Sequence, residues 1–151
     1  MSSPRGSDDG VTGRGLPPVD RVTQPWWDAT RVRRLLIQRC VLCDRLQHYP
    51  RALCTSCGGT DLGWIEVSGG GTIDSFTVVH RALPGFVAPY VVARVRLAED
   101  VVLLSNIVDD DGAPSDGQRV QCDASVALRW EALADGRSLP VFVLVAGDVT
   151  P

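Results

Sequence analysis

Cys40-Val41-Leu42-Cys43 and Cys54-Thr55-Ser56-Cys57, separated by ten residues, decide how this chain of 151 residues is read. A Cys-x-x-Cys turn points two sulfurs the same way, and two such turns facing each other close a cage of four thiolates. A cage with every ligand position filled is a structural zinc site, because a catalytic zinc keeps one position open for water or substrate. The spacing therefore predicts that Cys40, Cys43, Cys54 and Cys57 hold zinc and organise the chain around it. Gly58 follows the second knuckle, where a positive φ lets backbone N–H groups reach the sulfurs. Asp44 holds the equivalent place after the first, and Asp tolerates that region better than most residues. His48, between the knuckles, is left a packing role because four sulfurs already fill the cage.

Upstream, Pro25 suits the first turn of a helix. The pattern predicts a helix over residues 25–36 with Trp26 and Trp27 adjacent on it. Two neighbouring tryptophans on so short a helix cannot both enter one small core, so one is expected against a neighbouring surface, in this chain or in a partner. Residues 1–22 are poor in apolar side chains and are expected to be disordered. They carry no apolar segment of the kind a secretory leader needs, and the chain is expected in the cytoplasm.

Downstream, from Trp64, the sequence reads as β. Residues 64–67, 72–80, 90–97, 101–108, 120–129 and 141–146 are strand-like, with turn signals between them. That density of strands predicts a five-stranded Greek-key barrel of the OB type. Gly69-Gly70-Gly71 is expected to let the first long strand bend and serve both halves of the barrel. Cys122 alternates with Val120 and Ala124 and is expected on the buried face of a strand. The chain thus divides into a tail (1–22), a helix plus zinc ribbon (23–63) and a barrel (64–151), mostly β overall.

Charge and composition exclude several functions. The formal net charge is −3, with residues 31–51 at +5 and residues 52–151 at −7. A general nucleic-acid or membrane-surface binder needs the opposite balance. All 15 basic residues are arginine, which excludes lysine Schiff-base and P-loop chemistry. The arginines around the knuckles offset the charge of four thiolates on a dication, or meet an anionic ligand or an acidic partner. His48 and His80 are the only histidines, and neither has a nucleophile or a paired carboxylate in its sequence neighbourhood. An independent active site is not expected.

The order of features resembles one family. A Pro-Trp-Trp segment leads into Leu36-Ile37-Gln38-Arg39-Cys40, Tyr49-Pro50-Arg51 and the second knuckle. Trp64 to Ile73, Pro89 to Ala93 and Leu139 to Phe142 follow. This resembles the acyl-CoA-associated OB-fold proteins with a rubredoxin-like zinc ribbon, also called domain of unknown function 35, over roughly residues 24–146. The resemblance implies a non-catalytic, zinc-stabilised accessory subunit in a hetero-oligomer with a thiolase-superfamily enzyme acting on acyl-CoA thioesters. It also implies acyl-CoA as a further ligand. The candidate partner or CoA contacts are Trp26, Trp27, Arg31, Arg33, Arg34 and the Pro84-Gly85-Phe86 loop. The competing reading is a nucleic-acid-binding ribbon and OB module, which the acidic barrel disfavours.

Overall fold

The computed structural model describes residues 15–146. Residues 1–14 of the expected tail lie outside the described residues. Its end does not: Asp20 accepts bonds from the Val22 N–H (2.9 Å), the Thr23 N–H (2.8 Å) and the Thr23 hydroxyl (2.9 Å). The Thr23 N–H and hydroxyl hold the Asp20 carboxyl below the usual range. Residues 20–22 are thus part of the helix start and not of a tail.

Helix α1 (Gln24–Arg31) has Pro25 in its first turn as expected, but it is shorter than the sequence pattern predicts. Arg33 adopts φ 57°. The N–H groups of Val32 and Arg34 both close on Ala29 O, and that of Arg33 on Thr30 O, ending the helix there. Leu35 and Leu36 then enter strand β1 (Leu35–Cys40). Together with β2 (Leu46–Gln47) and β3 (Leu62–Val67), β1 makes a three-stranded antiparallel sheet in the order β2-β1-β3. Leu35 faces Val67 and Cys40 faces Leu62 across it. The expected boundary at 63/64 therefore falls inside β3, and the two sheets meet at residues 68–70.

The barrel is closed in the order β4-β5-β6-β8-β7, formed by β4 (Gly71–Val79), β5 (Tyr90–Leu97), β6 (Val102–Val108), β7 (Ser125–Ala132) and β8 (Ser138–Leu144). β6 and β8 run parallel and every other pairing is antiparallel. This is the five-stranded OB barrel the sequence predicts. Gly71 explains the closure: it faces Leu97 on β5 and Val126 on β7, so one residue joins both halves. A Cβ at this position would lie 2.4 Å from the Arg96 carbonyl oxygen, so only glycine allows the approach.

Cys122 corrects the sequence reading. It is exposed, because residues 121–124 form a turn before β7 starts at Ser125. Asp123 sits at φ 65°, and its N–H bonds to Ile73 O at 2.8 Å. The core is continuous from ribbon to barrel, with Trp26, Trp27, Leu35, Ile37 and Val67 in the same cluster as Ile73, Leu103 and Phe142.

Candidate metal centre and its surroundings

The knuckles fold as their sequence requires. Asp44 (φ 60°) and Gly58 (φ 74°) both take the left-handed turn, and their N–H groups bond to Cys40 O at 2.9 Å and Cys54 O at 3.0 Å. The four sulfurs converge: Cys40 Sγ lies 3.6 Å from Cys57 Sγ, and Cys43 Sγ lies 3.6 Å from Cys54 Sγ. All four lie within 4.8 Å of one another. A tetrahedral zinc with bonds of about 2.3 Å spaces its sulfurs at roughly 3.8 Å, so the cage fits that ion.

Local electrostatics prepare the ligands. The N–H groups of Cys57 and Ser56 pull the Cys54 thiol down to about 6, and Ser56 N lies 3.4 Å from that sulfur. At Cys43 the Arg45 N–H pulls down, but burial and the thiols of Cys54, Cys57 and Cys40 together push the group up to about 12. A divalent cation held by Cys40, Cys43, Cys54 and Cys57 would favour all four as thiolates. His48 stays out of the cage. It packs on Trp26 and Tyr49, with 5.4 Å between ring centroids in each case, and burial lowers it to about 4.

Between the knuckles lies a feature that the sequence reading missed. Gln38 on β1 and Gln47 on β2 are both buried. Gln47 donates from Nε2 to Gln38 Oε1 (2.9 Å) and to Leu53 O (3.1 Å). Gln38 donates to Arg51 O (3.0 Å) and accepts from the Arg51 N–H (2.8 Å). Gln47 Oε1 accepts from the Thr55 N–H at 2.9 Å, next to ligand Cys54. Two amides thus tie the ten-residue loop to the sheet and hold the second knuckle against the first. Gln47→Leu leaves the Thr55 N–H and Gln38 Oε1 without this partner. A loss of about 2–3 kcal/mol is expected, with faster zinc transfer to a competing chelator. Denaturant unfolding and the release rate check it together.

The other candidate residues sit as follows. Trp26 and Trp27 are both buried, 3% exposed. They meet edge to face at 4.6 Å, and the neighbouring surface expected for one of them lies in this chain. Trp27 donates from Nε1 to the Tyr49 hydroxyl at 2.9 Å, and the Arg137 guanidinium lies 4.4 Å over its ring. Both indoles are thus packed within the chain, with only their edges reaching the cleft that Tyr49 and Leu104 also line. Arg31 donates to Asp135 O at 2.7 Å, and Arg34 pairs with Glu66 at 2.8 Å. Arg33 makes no ion pair among the described residues.

Pro84, Gly85 and Phe86 lie in the loop between β4 and β5. Gly85 and Phe86, with Tyr90, Asn106 and Glu131, line a cleft of about 300 Å³. Phe86 stacks on Tyr90 at 5.5 Å. None of Arg31, Arg33 and Arg34 lines this cleft. No helix among the described residues is long and apolar enough to cross a membrane.

Two family models match the chain. The ChsH2 rubredoxin-like zinc ribbon domain covers residues 27–63, and the ChsH2 C-terminal OB-fold domain covers residues 64–131. The chain is 37% identical over 130 residues to a probable enoyl-CoA hydratase alpha subunit of Thermomonospora curvata, matching 85% of this chain and 39% of that one. It is 34% identical over 99 residues to the 3-oxo-4,17-pregnadiene-20-carboxyl-CoA hydratase alpha subunit of Mycobacterium tuberculosis, matching 64% and 31%. The chain thus spans less than two fifths of the length of either relative. A solved structure of an Ltp2-ChsH2(DUF35) aldolase is similar, with a TM-score of 0.74 and 36% identity, over 85% of this chain and 98% of that one.

Proposed function

The chain belongs to the ChsH2-type DUF35 family of zinc-ribbon and OB-fold proteins, and from that membership we propose that it is a non-catalytic accessory subunit of an acyl-CoA-processing enzyme. The enzyme it accompanies is a member of the thiolase superfamily (a thiolase, aldolase or acyltransferase). The zinc is structural, and the catalytic groups belong to the partner. One observation carries the reading. The chain matches nearly the whole length of a chain in a structure named as an Ltp2-ChsH2(DUF35) aldolase. The site chemistry agrees with it. The four-thiolate cage leaves a tetrahedral ion no open position. His48 is packed between rings, and His80 stands exposed at the end of β4.

Direct help with CoA binding falls to Arg33, since Arg31 and Arg34 are already engaged. The names of the two curated relatives favour a second reading, in which the partner is an enoyl-CoA hydratase. One experiment separates them. The tagged chain is purified from its host, the complex is weighed by native mass spectrometry, and each component is identified. A thiolase-superfamily chain in fixed stoichiometry supports the first reading and a hydratase chain the second. Turnover of an acyl-CoA or enoyl-CoA by the isolated chain overturns both.

A further inference from the structure

Antiparallel sheets with one face in the core usually alternate apolar residues inward with polar residues outward. β5 obeys this, with Arg94 and Arg96 exposed between buried Ala93, Val95 and Leu97. β6 does not. Its outward positions, paired with Arg96 and Arg94, are Val102 and Leu104, and Leu104 is 71% exposed.

This apolar stripe runs along three neighbouring clefts that share lining residues, taken together as one groove. The first, about 480 Å³, is lined by His48, Tyr49, Arg94, Val102 and Leu104. The second, about 310 Å³, shares His48, Tyr49 and Leu104 and adds Trp26, Pro17 and Asn106. The third, about 300 Å³, shares Asn106 and ends at Phe86 and Val87, the latter 75% exposed. The groove follows β6 for its seven residues, a run of roughly 20 Å.

The polar groups of the groove decide what it takes. Ser105 donates to Pro140 O at 2.6 Å and Asn106 to Val91 O at 2.9 Å. Arg94 pairs with Asp74 at 3.4 Å. A small ligand needs a few convergent polar groups to fix its orientation, and Ser105, Asn106 and Arg94 are already engaged within the chain. The Tyr49 hydroxyl accepts from Trp27 and donates to no acceptor among the described residues. Trp26 Nε1 is buried with no acceptor among the described residues.

The charged residues lining the groove, Arg94 and Glu131, sit toward opposite ends and leave its middle neutral. Its complement is an uncharged apolar surface with backbone carbonyls. Residues 1–14, which lead up to Pro17 at the rim, do not supply that complement. They hold Met1 and Val11 among Arg5, Asp8, Asp9 and Arg14.

We propose that this groove is the docking site of the partner enzyme subunit, receiving an uncharged, apolar, extended segment whose side chain covers Leu104 and whose carbonyl meets the Tyr49 hydroxyl. The proposal rests on the accessory-subunit reading and names the surface that serves it. Burying Leu104 and Val87 supplies the apolar core of such an interface, and the engaged polar groups need no new partners on docking.

The test titrates the full chain, by calorimetry, with the enzyme subunit that was co-purified with it and identified. Leu104→Arg should weaken binding by at least about 30-fold. Leu104→Ser, which adds no charge, should weaken it by about tenfold, and it covers the case in which arginine disturbs the barrel. Val32→Arg, at a residue 67% exposed outside the groove, should stay within about threefold of the wild type. Zinc content and melting temperature identify any variant that fails to fold. If the enzyme subunit binds Leu104→Arg and Leu104→Ser as tightly as the wild type, the groove assignment falls and the accessory reading stands. If the wild type binds no enzyme subunit, both fall. A self-associating wild type that Leu104→Arg makes monomeric would give the groove to a second copy and overturn the proposal.

Discussion

Cys54→Ser is expected to release the metal and unfold the ribbon, residues 35–67, whereas Cys122→Ser leaves the protein as it is. The contrast follows from position. Cys54 lies 3.6 Å from Cys43 and is one of the four converging sulfurs. Cys122 lies in an exposed turn outside the cage. Structural zinc in small ribbons contributes on the order of 10 kcal/mol or more to folding, more than the net stability of a typical domain. The ribbon has little else to hold it: a two-residue β2 and a ten-residue loop that the glutamine pair ties down. Its inner face, Leu35, Ile37 and Val67, belongs to the same core as the barrel, so the barrel should melt earlier too. Metal analysis by mass spectrometry should give one zinc per chain for the wild type and for Cys122→Ser, and none for Cys54→Ser. Retention of zinc and of the wild-type melting curve by Cys54→Ser would refute the structural role of the cage.

Trp27→Ala is expected to separate ribbon from barrel. The indole is 3% exposed. One side donates to the Tyr49 hydroxyl, and the other lies under the Arg137 guanidinium. Arg137 is itself 4% exposed and pairs with Asp135 at 2.6 Å. Burial raises the Asp135 carboxyl, but the N–H and guanidinium of Arg137 and the charge of Arg31 outweigh it and hold the group below its ordinary range. Removing a buried tryptophan costs about 3–5 kcal/mol through lost burial and the cavity left behind. A desolvated cation over its ring adds up to about 2 kcal/mol. The guanidinium left in the cavity would keep its Nε bond to Asp135, while its Nη1 has no acceptor among the described residues. The melting temperature should fall by at least about 10 °C, with zinc still bound, since no ligand is touched. Loss of zinc at the same temperature as the barrel would instead show that the two units unfold as one.

The metal site and the barrel were legible in the sequence for a local reason. Cys-x-x-Cys fixes two sulfurs within one turn, and Asp44 and Gly58 supply the backbone angle that turn needs. The strands announced themselves through β-branched runs bounded by glycine and aspartate, and Gly71 carried the closure. The helix end was not legible because the apolar residues at 35 and 36, which make no clean helical stripe with the tryptophans, can extend a helix or open a strand. Pairing with Val67 and Glu66, about thirty residues away, decides between them. Cys122 was misread because alternation continued into a turn.

By itself the sequence determined a four-thiolate ribbon and an OB barrel behind it, since each depends on residues close in the chain. Only the tertiary structure decided that both tryptophans are internal, that Gln38 and Gln47 tie the knuckles together and that Arg137 lies buried on Trp27. It alone showed that Val102 and Leu104 face outward beside Tyr49. These facts depend on which surfaces meet across the join at residues 68–70. Burial and hydrogen bonding between distant segments are properties of that meeting, and no local pattern of residues encodes them.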